Sequence, residues 1–161
     1  MKVFWFLLGI SVFSVIVWLS IPGEEDLIIA HLRNFTEAVS FEPNTDPIAI
    51  LARETQILTY FTEDAYIDVG MPLAVVRGRS ALATVFEKIS LDAGITVTFL
   101  DATVSFDRRL LIAAGRLEVS VEMNQKNYGT RVFDVALRQI DGNWLLTDLR
   151  VIVPVEQQIK H

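Results

Sequence analysis

Hydrophobic and polar residues along this chain fall into three regimes, and each predicts a different element. From Val3 to Ile21 the residues are almost uniformly apolar, uncharged and broken only by serine and glycine, before Pro22-Gly23. From Glu24 to Phe41, apolar residues recur every three or four positions (Leu27, Ile28, His31, Leu32, Phe35, Ala38, Val39), the period of an amphipathic helix. Glu42–Thr45 interrupts that pattern, and Asp46-Pro47 supplies a capping carboxylate followed by proline at a first helical position. A second helix follows, with Ile50, Leu51, Ile57, Leu58 and Phe61 as its stripe and an expected end near Thr62–Asp64.

A short strand, Ala65–Val69, and a loop through Gly70 and Pro72 come next. Val76–Ser80 then leads into a third helix whose buried face is Leu82, Val85, Phe86 and Ile89. From Gly94 the period changes to two, predicting four strands at Ile95–Phe106, Arg109–Met123, Gly129–Ile140 and Asn143–Val153. Their turns are Asp107-Arg108, Asn124–Tyr128 and Asp141-Gly142, the last a dipeptide that closes tight hairpins. Helices on one face of a long antiparallel meander make an α+β architecture.

The opening run is long enough to cross a hydrocarbon layer roughly 30 Å thick as a helix. Lys2 precedes it, Glu24-Glu25-Asp26 follow it, and Trp5 and Trp18 lie near its ends. This arrangement predicts a single-pass signal-anchor through residues 3–21, N-terminus cytoplasmic and the rest periplasmic or extracellular. A cleaved signal peptide is the minor alternative: its apolar core is shorter and ends in small residues, whereas Trp18 and Ile21 stand two before Ser20 and Gly23. The expected division is therefore an anchor at 1–23 and one domain at 24–161, a usual domain size.

A composition 52% hydrophobic and 21% charged describes a folded domain rather than a disordered one. The chain has no cysteine, which removes disulfides, thiol chemistry and lipidation at cysteine. Beyond residue 23 the domain carries thirteen basic against twenty acidic residues, a balance of −7 that speaks against a nucleic-acid partner or anionic head groups, both of which want clustered lysine and arginine. The histidines are His31, read as an edge-of-core residue, and His161 in the tail. They have no ligand spacing, so neither a metal nor a cofactor is expected.

Three segments carry a family resemblance: YFTEDAYIDVG (Tyr60–Gly70), VRGRSALATVFEKI (Val76–Ile89) and FDVALRQIDGNWLLTDLRV (Phe133–Val151). In this order, helix, helix, short strand, helix and four long strands, the chain resembles the nuclear transport factor two superfamily in its SnoaL-like and ketosteroid-isomerase-like branch. The resemblance spans about residues 25–154. It implies a cone of three helices packed on a curved, mainly antiparallel sheet, to which the opening run adds the preceding transmembrane helix expected above. That fold hosts isomerases, cyclases and dehydratases as well as binding and assembly domains. Its enzymes use a buried aspartate or a His–Asp pair as base, with a tyrosine or protonated aspartate as partner.

Strict strand alternation groups Tyr66 with Asp68, Arg116 with Glu118, Asp134 with Arg138, and Trp144 with Asp148 and Arg150. Two arrangements follow. The charged residues form a solvated or subunit-facing ladder across the outer face of the sheet. Alternatively Asp148 and Arg150, four and six residues after Trp144, turn inward as polar residues do at those positions in many relatives. Tyr66, Asp68, Asp134, Trp144, Asp148 and Arg150 are then candidates for a pocket gripping a small polar ligand. Asp68 and Asp148 are the weak catalytic candidates, but an aspartate held by arginine is a poor base.

Three functions remain in play. The leading one is a membrane-anchored, non-catalytic domain that binds a small ligand, pairs with itself as a homodimer through the sheet, or joins a membrane complex. The others are an anchored isomerase, cyclase or dehydratase with an aspartate base, and a secretion-system assembly factor, whose relatives usually carry a longer cytoplasmic tail than Met1-Lys2. The predicted topology makes a C-terminal alkaline phosphatase fusion active in a bacterium; an inactive fusion would reverse it.

Overall fold

A computed structural model describes residues 23–41, 46–70, 75–90 and 94–152. The Val3–Ile21 segment lies outside them, and among the described residues no helix is long and apolar enough to cross a membrane. The elements run α1 (Glu24–Ala38), α2 (Pro47–Leu58), β1 (Phe61–Asp68), β2 (Val76–Arg77), α3 (Arg79–Ser90), β3 (Ile95–Asp107), β4 (Ile112–Met123), β5 (Lys126–Ile140) and β6 (Asn143–Val151). The strands form one sheet in the order β2-β1-β6-β5-β4-β3, antiparallel except for β1 beside β6. Three helices on a six-stranded curved sheet give the expected α+β class.

Local chemistry sets the element ends. The Asp26 carboxylate accepts from the Gly23 N–H at 3.0 Å, and Glu24, Glu25 and Asp26 meet the positive end of the α1 dipole. The Asp46 side chain accepts from the Ile48 N–H at 3.1 Å, and Pro47 starts α2 as its position implies. α2 stops at Leu58, earlier than the periodicity predicts, and Phe61 already pairs with Leu146 of β6. The aromatic and threonine residues at Phe61-Thr62 favour the strand they enter. Of the expected α2 stripe, Ile57 is buried, whereas Leu51 is 63% exposed.

The hairpins also differ by a few residues from expectation. Asp107 accepts from the N–H groups of Arg109 and Leu110, which turns the chain through Leu111 at φ 53° and delays β4 to Ile112. Asn124 and Gln125, both at positive φ, make a two-residue turn that lets β5 begin at Lys126.

α1 runs antiparallel to β3. Phe41 bridges Ile95, the Ser40 hydroxyl accepts from the Val97 N–H at 2.8 Å, and the Arg33 guanidinium covers the Phe99 ring at 4.8 Å. The start of α1 therefore lies toward the β3–β4 turn, and its end lies beside the start of β3. Ile28, Leu32 and Phe35 carry the apolar face of α1 into a core shared with Leu117, Leu137 and Leu146. Arg79 ties α3 to the sheet by donating to the Phe61 carbonyl.

β3 runs close against Gly115 of its neighbour β4. A Cβ there would stand 1.9 Å from the Thr103 carbonyl oxygen and 2.8 Å from the Val104 Cα. These are backbone atoms that cannot rotate away. Gly115→Ala should cost about 2–3 kcal/mol, the upper part of the range for overpacking, as read by urea unfolding. A loss well under 1 kcal/mol would mean that β3 does not press on β4 at this point.

Candidate functional site

The end of the fold that holds the start of β3 contains a cavity of about 260 Å³. Its walls come from the inward rows of the sheet, including Ile67, Val97, Val119, Val121, Phe133 and Leu149, and it is roofed by Phe35, Leu82 and Val85 of the helices. Alternation puts these residues there: Val119 and Val121 are two apart on β4, and Ile67 and Val69 on β1.

Only Thr36, Tyr128 and Arg131 among the described lining residues carry polar side chains beyond the backbone. The Thr36 hydroxyl already donates to the Arg33 carbonyl at 2.7 Å. Tyr128 is 38% exposed, with the Lys126 ammonium 5.4 Å from its ring centroid. Arg131 is half-buried opposite Val119. No described lining residue is Asp, Glu or His, and among the described residues no group of three such side chains is placed to hold a metal.

The candidates taken from sequence lie elsewhere. Tyr66, Asp68, Asp148, Arg150 and Asp134 come together on the opposite face of the sheet. Asp68 pairs in register with Arg150, Tyr66 with Asp148, and Asp134 with Arg150. Arg150 donates to both Asp148 oxygens, at 2.7 and 2.6 Å, and its guanidinium stands 4.5 Å over the Tyr66 ring. Arg77 covers the same ring at 5.2 Å. Arg116 approaches Asp134 at 3.7 Å with both side chains solvated. The Asp148 hydrogen bonds and negative charge raise the Arg150 pKa above its ordinary value. Asp68 accepts from the Gly70 N–H at 3.0 Å.

None of these five lines the cavity, so the inward arrangement of Asp148 and Arg150 is corrected. The reason is an extra residue, Thr147. Leu146 pairs with Leu137 and Asp148 with the adjacent Ala136, so Thr147 bulges and the alternation changes sides. Trp144 and Leu146 face inward with Leu149, while Asp148 and Arg150 face out. Trp144 is also away from the cavity: it is buried near the hairpin turns, edge-on to Phe106 at 5.4 Å.

Arg131 escaped the sequence reading, although it had a signal. It shares its alternation with Phe133, Val135 and Leu137, an arginine in an otherwise apolar inward row.

No protein-family model matches the chain, and no curated protein matches it. Solved structures do. A nuclear transport factor two-like protein with a cystatin-like fold from Novosphingobium aromaticivorans is 16% identical, with a TM-score of 0.54 over 74% of this chain and 77% of that one. A candidate scytalone dehydratase from the same organism is 17% identical, with a TM-score of 0.52 over 64% and 73%. A protein of unknown function from Mycobacterium tuberculosis is 25% identical, with a TM-score of 0.53 over 68% and 72%. The chain shares the nuclear transport factor two-like, cystatin-like fold of these proteins.

His31 stands outside the cavity as an edge-of-core residue. Its ring lies 4.9 Å from that of Tyr60, and its Nε2 is buried without a partner. Burial lowers its pKa below 6.5. The folded state therefore favours the neutral ring: its contribution is complete above the unfolded pKa of 6.5 and is lost as pH falls below it, until the folded pKa is passed. Wild-type stability should fall between about pH 7 and about pH 5 by more than that of His31→Phe, in the range where histidine titrates. Parallel urea curves across that range would refute the assignment.

Proposed function

We propose that this chain is a membrane-tethered, non-catalytic binding domain whose cavity holds a small, mainly apolar molecule. The observation that carries this reading is the cavity itself, about 260 Å³, with apolar walls and no carboxylate or imidazole among its described lining residues. Proton abstraction needs a base within hydrogen-bond reach of the substrate. Asp68 and Asp148, the two catalytic candidates, stand across the sheet from the cavity, which disfavours the anchored isomerase or dehydratase. It also replaces the small polar ligand expected at Arg150 with an apolar one.

Two features support the tether. One is the apolar run Val3–Ile21. The other is the turn after β3, at the end of the domain where α1 begins: it exposes Leu110 and Leu111 beside Arg108 and Arg109, a mixture suited to a bilayer surface. The outer ladder, with charges of both signs, is the surface for a homodimer. Light scattering at tens of micromolar should give a dimer, and a monomer would remove that element.

Ligand capture is tested with radiolabelled 1-decanol, dialysed against the full chain in lipid nanodiscs with empty nanodiscs as the blank. Saturable binding near one molecule per chain is expected. Val121→Trp, which fills the cavity, should abolish it, whereas Asp148→Asn should leave it unchanged. Uptake no greater than the blank would overturn the binding role.

A further inference from the structure

We infer that the occupant of the cavity is an amphiphilic carboxylate with a tail of about ten carbons, its head group held by Arg131. This deepens the binding role proposed above and rests on it.

The arginines define what is unusual about Arg131. Arg116 and Arg150 meet carboxylates, Arg33 and Arg77 cover aromatic rings, and Arg53 and Arg79 donate to main-chain carbonyls. Arg108, Arg109 and Arg138 are exposed and have water. Among the described residues, Arg131 is the half-buried arginine with neither a protein acceptor nor a ring against it, and its guanidinium nitrogens stay open to water at the cavity border. Its alternation with Phe133 and its register opposite Val119, which is 2% exposed, commit its side chain to the concave face. It lines the cavity whose other described walls are nearly all apolar.

A guanidinium is always charged and presents five donors in a planar fork. Beside an apolar space, those donors are best satisfied by a planar anion that takes two of them at once. Lys126, above the Tyr128 ring at the same border of the cavity, adds positive potential there. An acid, not an alcohol or an amine, is the complementary head group.

Volume sets the tail. A cavity of about 150 Å³ takes one benzene ring, so this one, at about 260 Å³, suits about ten carbon atoms. A two-chain phospholipid is excluded by size. The interior offers no second charge, so the rest of the molecule is hydrocarbon.

The dialysis assay above separates the two levels of the proposal. Decanoate should bind the full chain in nanodiscs more tightly than decanol, and decylamine should bind no better than the blank. Arg131→Met should weaken decanoate roughly tenfold or more, the loss expected for a charge-assisted bond, while decanol binding stays within about twofold. Arg131→Lys should lie between, having charge without the fork. Equal affinities for decanoate, decanol and decylamine, or equal losses of decanoate and decanol on Arg131→Met, would overturn the head-group assignment and leave the cavity role standing. Decanol uptake no greater than the blank would overturn the cavity role and, with it, the head-group assignment that rests on it. Should Arg131→Met not fold, the ranking of the three probes on the wild-type chain still decides.

Discussion

Thr147 has no partner of its own across β5, although its hydroxyl donates to the Ala136 carbonyl at 3.2 Å. Without this extra residue, Asp148 and Arg150 would continue the inward row of Trp144 and Leu146. Moving that ion pair into the interior would cost several kcal/mol per ion before their attraction is counted. Burying Leu149 instead is favourable by about 1.5–3 kcal/mol. The bulge reconciles a strand whose first half is apolar at even positions with a second half apolar at odd ones. It keeps the cavity wall apolar and sends the charges to solvent, and the chemistry of both faces depends on it.

A second bulge does the same work on β3. Phe99 pairs with Val119 and Asp101 with Glu118, so Leu100 is the extra residue and is 47% exposed. Phe99 and Ala102 thereby both face inward. Bulges bend and twist the strands that hold them. The cavity lies on the helix-covered side of this sheet.

This explains what could be read from sequence and what could not. The helices announced themselves by period, and Asp46-Pro47 and Asp141-Gly142 marked a helix start and a turn in residues whose local chemistry is nearly context-free. Strand alternation was right within each uninterrupted run, as in Phe133, Val135 and Leu137. It failed across Thr147, because no residue type announces a bulge and one extra position inverts every assignment after it. The parallel pairing of β1 with β6 and the two-residue strand β2 depend on contacts distant in sequence, and local pattern does not contain them. Arg131 was legible in principle: its alternation with three buried apolar residues was present, but charged residues grouped by type drew attention to the other face.

The antiparallel course of α1 along β3 has a geometric consequence. The chain enters the domain near one end of the sheet, and the cavity occupies the other. β3 has 13 residues, and at about 3.3 Å per residue it is about 40 Å long. Arg131 pairs with Val119 and so lies level with Phe99, eight residues before the Asp107 end of that strand. With residues 3–21 in a bilayer and β3 along its normal, the guanidinium would stand about 26 Å beyond the membrane end of the strand, about three Debye lengths of about 8 Å at physiological salt. Anionic lipids would then neither attract nor repel an acid approaching Arg131. Capture would be governed by the concentration of free solute in the aqueous compartment, and it would be insensitive to the composition of the membrane that holds the protein.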